Sequence, residues 1–183
     1  ILFKNITMSD LQTQLNTVKA NESWLEKIKR YIPGYDGYVN RDNARELDTI
    51  VRNQLASRLE QNKARIKNTV SNLSKNKRLF ETQDIDKIEK KNENCIAQFK
   101  SAARGYSGAF DVVKVKEDKL NRLYEFDNSL LSDVEGINSL FVTLENNSAA
   151  NLDVNQDVSK VSSSLDELLR KFQERENILS SLN

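Results

Sequence analysis

The chain has 183 residues, of which 30% are charged and 38% apolar, with a net charge of +1, one cysteine, one proline and no histidine. That composition excludes histidine-based triads, relays and metal sites, rules out an intramolecular disulfide, and offers no stretch approaching the ~20 apolar residues of a membrane span. So many charges with so few turn residues predict an all-α, elongated up-down helical bundle of about five helices with coiled-coil-like packing.

Residues 1–7 read as an N-terminal extension, because Ser9 and Gln12 form a capping box just after them. A first helix is expected from about Ser9 to Tyr31, with Leu11, Leu15, Val18, Leu25, Ile28 and Ile32 on one stripe. Pro33-Gly34 ends it, and Tyr35 to Val39 reads as loop. Asn40 is a candidate N-cap for a second helix running unbroken to about Phe80, roughly 60 Å at 1.5 Å per residue. Its stripe is Leu47, Ile50, Val51, Leu55, Leu59, Ile66, Val70 and Leu73.

Thr82-Gln83-Asp84 is the next expected break, followed by a third helix on Ile85, Ile88, Ile96 and Phe99 that ends near Arg104. The neighbours Ile96 and Phe99 make Cys95 a buried, inert thiol, and a lone thiol fits a reducing cytoplasmic setting. Phe110 to Val115 alternates weakly and could form a short extended piece. A fourth helix is expected from about Lys116 to Glu145, carrying Gly136 at a place where a close helix crossing would explain it. Residues 146–157 read as a linker between an 8–145 bundle and a C-terminal heptad helix, 158–183. In that helix Val158, Val161, Leu165, Leu168, Phe172, Leu179 and Leu182 follow a coiled-coil register, with Arg175 the one interruption. The seam serves either a homo-oligomer through 158–182 or, the preferred reading, an intramolecular contact with the fourth helix.

Charge is unevenly spread. Residues 49–80 hold eight basic side chains against Glu60 alone, a net +7, whereas 81–145 carry a net −4. Balance of the basic helix by acids on the following helices is the expected outcome. Binding of nucleic acid or an anionic membrane surface through 49–80 is the alternative.

Four of the five glycines sit in Gly34-Tyr35-Asp36-Gly37 and Gly105-Tyr106-Ser107-Gly108. Glycine is costly inside helices, so these mark designed breaks, and alternating helix direction would put both at one end. With Tyr38 and Phe110, these loops (Gly34, Tyr35, Gly37, Tyr38, Gly105, Tyr106, Gly108 and Phe110) are the candidate partner-binding residues, the alternative being an aromatic plug closing the bundle. Ile32-Pro33-Gly34-Tyr35-Asp36-Gly37 also resembles a helix-hairpin-helix turn, but the second glycine comes one residue late and Asp36 would repel phosphate. The two loops also begin similar text offset by 71 residues, which fits either a duplicated unit or two convergent turns.

No catalytic, cofactor-binding or metal-binding residue is assigned. Ile32-Pro33-Gly34-Tyr35-Asp36-Gly37-Tyr38 and Ala103 to Gly108 resemble elements of uncharacterised bacterial helical proteins with a PGYxGY loop followed by a charged helix. The resemblance covers roughly 9–145 and implies a bacterial or archaeal cytoplasmic protein with no known activity, and it suggests no catalytic residue. The expected function is a helical interaction or scaffold module with a protein partner.

Overall fold

A computed structural model describes residues 26–33, 35, 41–101 and 117–180. Residues 26–31 are helical and precede five further helices: α1 (Arg41–Glu60), α2 (Asn62–Lys75), α3 (Leu79–Ser101), α4 (Glu117–Ala149) and α5 (Asn155–Ser180). The predicted stripes line one core, in which Val51, Leu55, Leu59, Ile66, Leu73, Ile85, Phe99, Val134, Phe141, Leu165 and Phe172 are buried. Phe99 of α3 meets Phe172 of α5 edge to face, with ring centroids 4.6 Å apart. At 1.5 Å per residue α4 is about 50 Å long, as is the α1–α2 span.

Cross-helix bonds define the arrangement. Asn62 donates to Asn138 and Asn72 to Ser148, so α1–α2 and α4 run parallel. Lys91 donates to Asp166 and the Cys95 thiol to the Leu165 carbonyl, so α3 and α5 run parallel too. Within each pair of consecutive helices the direction reverses: Lys100 meets Glu60, and Lys171 meets Asp133. The bundle is therefore two helical hairpins laid side by side, like helix against like. The main packing partners place α5 diagonally across from α1–α2 and α3 diagonally across from α4. The α5 seam is intramolecular, against α4, as the preferred reading expected.

Several boundaries differ from expectation. The helix expected over 40–80 is interrupted at Gln61 and ends at Lys75. At the interruption Asn138 donates to the Arg58 carbonyl and Asn92 to the Leu59 carbonyl, so side chains from both neighbouring helices compete for the ladder's acceptors. Gln61 keeps right-handed helical angles, φ −60° and ψ −25°. Thr82, Gln83 and Asp84 lie inside α3; the turn is at 76–78 instead. There Arg78 N–H bonds the Leu73 carbonyl and Lys77 N–H the Ser74 carbonyl, a Schellman motif with Lys77 at φ 60°.

The same motif ends α4. Leu152 N–H bonds the Asn147 carbonyl, Asn151 N–H bonds the Ser148 carbonyl, and Asn151 has φ 56°. The segment read as a linker is thus the end of α4, a turn over 150–154 and the start of α5. Gly136 serves no close crossing: a Cβ there would meet no atom within 4 Å.

Candidate functional site

The described ends of the bundle differ in chemistry. At the end where α1 and α4 begin and α3 and α5 finish, four charged side chains are buried. Arg175 is fully buried at the heptad interruption of α5. Its Nε donates to Asp127 Oδ1 of α4 at 2.5 Å, and its Nη1 to Asp48 Oδ1 of α1 at 2.6 Å. The second Asp48 oxygen accepts from Arg52 Nε at 2.8 Å. Arg52 Nη1 in turn donates to the Phe99 carbonyl, one of the acceptors left over in the last turn of α3. Arg175 Nη1 also donates to Glu176 Oε1 at 3.3 Å, so the two guanidinium groups face the buried carboxylates Asp48 and Asp127 and the partly buried Glu176, opposite charges that offset one another's dehydration. Asp127 and Arg175 each make further interactions as well. Reaching α1 from α5 means crossing the diagonal, and arginine is long enough to do it.

The basic helix is largely engaged within the fold. Besides Arg52, Arg58 pairs with Glu135, Arg65 with Glu145, Lys63 with Glu93 at 3.8 Å, and Arg78 with Glu81. These acids lie on α3 and α4, as the charge count anticipated. Lys67, Lys75 and Lys77 are exposed and form no ion pair among the described residues. Arg58 also donates to the Tyr31 carbonyl at 3.3 Å and stacks over the Tyr31 ring, 5.3 Å from its centroid.

The opposite end is closed by the two Schellman turns. Arg78 Nη1 donates to the Leu152 carbonyl at 2.6 Å and approaches Asn151 Oδ1 at 3.4 Å, clamping one turn to the other. Hydrogen bonding to Glu81 raises the Arg78 guanidinium above its ordinary value, and Asp153 adds to that. Beside the clamp Phe80 is 89% exposed, Leu79 61% and Leu152 54%, the large apolar side chains most open to solvent among the described residues. Sequence reasoning placed Phe80 at the end of a long helix and missed this patch. Phe80 continues the seven-residue spacing of Ile66 and Leu73 but falls off the α3 stripe counted back from Ile85 and Ile88, so the signal became readable only once the turn at 76–78 was known.

Of the eight loop residues singled out from the sequence, Tyr35 is completely buried and belongs to the core. Its ring is not an exposed contact. Gly34, Gly37, Tyr38, Gly105, Tyr106, Gly108 and Phe110 lie outside the described residues, as do residues 1–7 and the extended piece at 110–115. Ser101 and Glu117, which flank the second loop, lie at the charge-layer end. Arg41, which follows the first loop, begins α1 at the same end, while Tyr31, which precedes that loop, lies beside Arg58.

Cys95 is buried, and burial pushes its thiol up to about 11, so it carries almost no thiolate at neutral pH. Among the described residues no group of three or more His, Cys, Asp or Glu is placed to hold a metal ion, and no helix is long and apolar enough to cross a membrane. No protein-family model matches the chain, and no curated protein or solved structure matches it either.

Proposed function

We propose that the chain is a non-catalytic helical interaction module that meets its partner at the turn end of the bundle. The observation that carries this reading is the exposed cluster Leu79, Phe80 and Leu152. Nothing in the core needs these side chains, yet Arg78 holds their two turns in fixed relation. Large exposed apolar groups gathered at one place on a polar protein mark contact surfaces. A rigid rod with a contact at its tip suits a spacer or scaffold. A nucleic-acid interface along 49–80 fits less well, because five of its eight cations are committed to internal pairs.

Site-specific photocrosslinking in living cells tests the reading. A benzophenone side chain at position 80 should give adducts well above those from exposed position 90, midway along α3. Equal yields at the two positions would remove the tip as a contact surface.

A further inference from the structure

We infer that the partner of this tip is an anionic lipid surface, an inference that rests on the interaction reading above. Three features of the tip select lipid. The first is position: Leu79, Phe80 and Leu152 are exposed at the turn end of the bundle, where a flat, fluid surface can receive them without a complementary groove. The second is the chemistry beside them. Lys75, the last residue of α2, and Lys77, in the turn before Leu79, are exposed and form no ion pair among the described residues. Lys67 lies two helical turns back on the same face of α2 as Lys75.

The third feature is what the local acids are doing. Glu81 is bound to Arg78 and Asp84 to Lys87, which leaves Asp86 and Asp153 as the exposed local acids without an ion pair among the described residues, against Lys67, Lys75 and Lys77. Apolar side chains with amines close by in the chain match the boundary between acyl chains and acidic headgroups. A second copy meeting tip to tip would bring Lys75 and Lys77 against their equivalents, and like charges in apposition are costly. With no spanning helix among the described residues, the contact is peripheral and reversible.

Sedimentation with vesicles of phosphatidylcholine alone, or containing 30% (about one third) phosphatidylglycerol, reads the inference directly. Binding is expected only to the anionic vesicles and should weaken as salt rises. Phe80→Ser should reduce it roughly tenfold, the scale of one large apolar side chain. Lys75→Gln and Lys77→Gln should each reduce it about fivefold. All three positions are exposed, so circular dichroism and melting should stay unchanged.

A polarity-sensitive dye on Phe80→Cys, in a Cys95→Ala background, separates the two levels of the argument. A blue shift with anionic vesicles supports lipid. A shift with lipid-depleted cell extract but none with vesicles overturns the lipid inference while leaving the tip as a protein contact. No shift with either overturns both. Binding to vesicles that survives Phe80→Ser and both lysine substitutions would place any lipid contact elsewhere and also refutes the inference.

Discussion

Replacing Arg175 by methionine keeps most of its volume and removes its charge. In the folded protein that leaves Asp127, fully buried, without the guanidinium 2.5 Å away, and leaves Asp48 with Arg52 as its remaining cation. Breaking one member out of a buried ion network costs about 3–5 kcal/mol, because a carboxylate that loses its guanidinium stays dehydrated. For a chain of this size each kcal/mol lowers Tm by about 2–4 °C, so Arg175→Met should melt roughly 6–20 °C lower. Against a total stability of about 5–15 kcal/mol this is a large fraction.

The sharper test is the double variant. Arg175→Met with Asp127→Leu removes that carboxylate as well and fills the space with apolar atoms, while the Asp48–Arg52 pair remains. Apolar replacement of a buried pair is often neutral or stabilising, so the double variant should be more stable than Arg175→Met alone. Equilibrium urea denaturation, analysed as a double-mutant cycle, measures the coupling. A single-variant loss below about 1 kcal/mol, or strictly additive losses, would show that the charges are not dehydrated as described.

Gly136→Ala should raise stability by about 1 kcal/mol, since α4 gains a better helix former at a position where the added methyl meets nothing within 4 Å; a rise in the urea midpoint checks it. Cys95 titrates from 9.0 in the unfolded chain to about 11 in the fold, so the unfolded chain releases its proton first. Its contribution is present in full below pH 9 and is lost as pH rises to 11, at up to about 1.4 kcal/mol per unit. Denaturation series at pH 8 to 11 should show a shallower decline for Cys95→Val than for the parent chain; parallel curves would contradict the burial argument.

How much of this was legible in the sequence depends on the range over which each signal acts. The apolar stripes were legible because helical period is local: Leu55, Leu59, Ile66 and Leu73 recur as the core face wherever the helix happens to end. The turns were not. Attention to glycine pointed to residues 34–37 and 105–108, yet the described turns at 76–78 and 150–154 contain no glycine. Lys77 and Asn151 hold left-handed angles, which cost a non-glycine residue about 1–2 kcal/mol, because two Schellman bonds at each turn and the Arg78 clamp over-determine them. No local pattern encodes that. Arg175 was visible as the one break in its heptads, but its partners lie 48 and 127 residues away. The surplus of cations in 49–80 was visible as well; which three of them have no ion pair among the described residues required the packing of α3 and α4.

The two ends invert the usual arrangement, with charge inside at one and apolar side chains outside at the other. Stability explains neither. A balanced buried network is seldom stronger than the apolar core it displaces, and Leu79, Phe80 and Leu152 return almost nothing to folding while exposed. What the network does supply is specificity. Two hairpins of similar length, packed like against like, could slide by a turn and still bury leucine against leucine. A guanidinium that must reach Asp127 on the adjacent helix and Asp48 across the diagonal tolerates no such slip. One register then fixes the far end too, where Arg78 can meet the Leu152 carbonyl only if both turns finish level. The buried charges thus hold the exposed tip in shape from the other end of the rod. By that reasoning Arg175→Met should loosen the tip as well as the layer, which faster amide exchange at Lys77 and Leu152 would reveal.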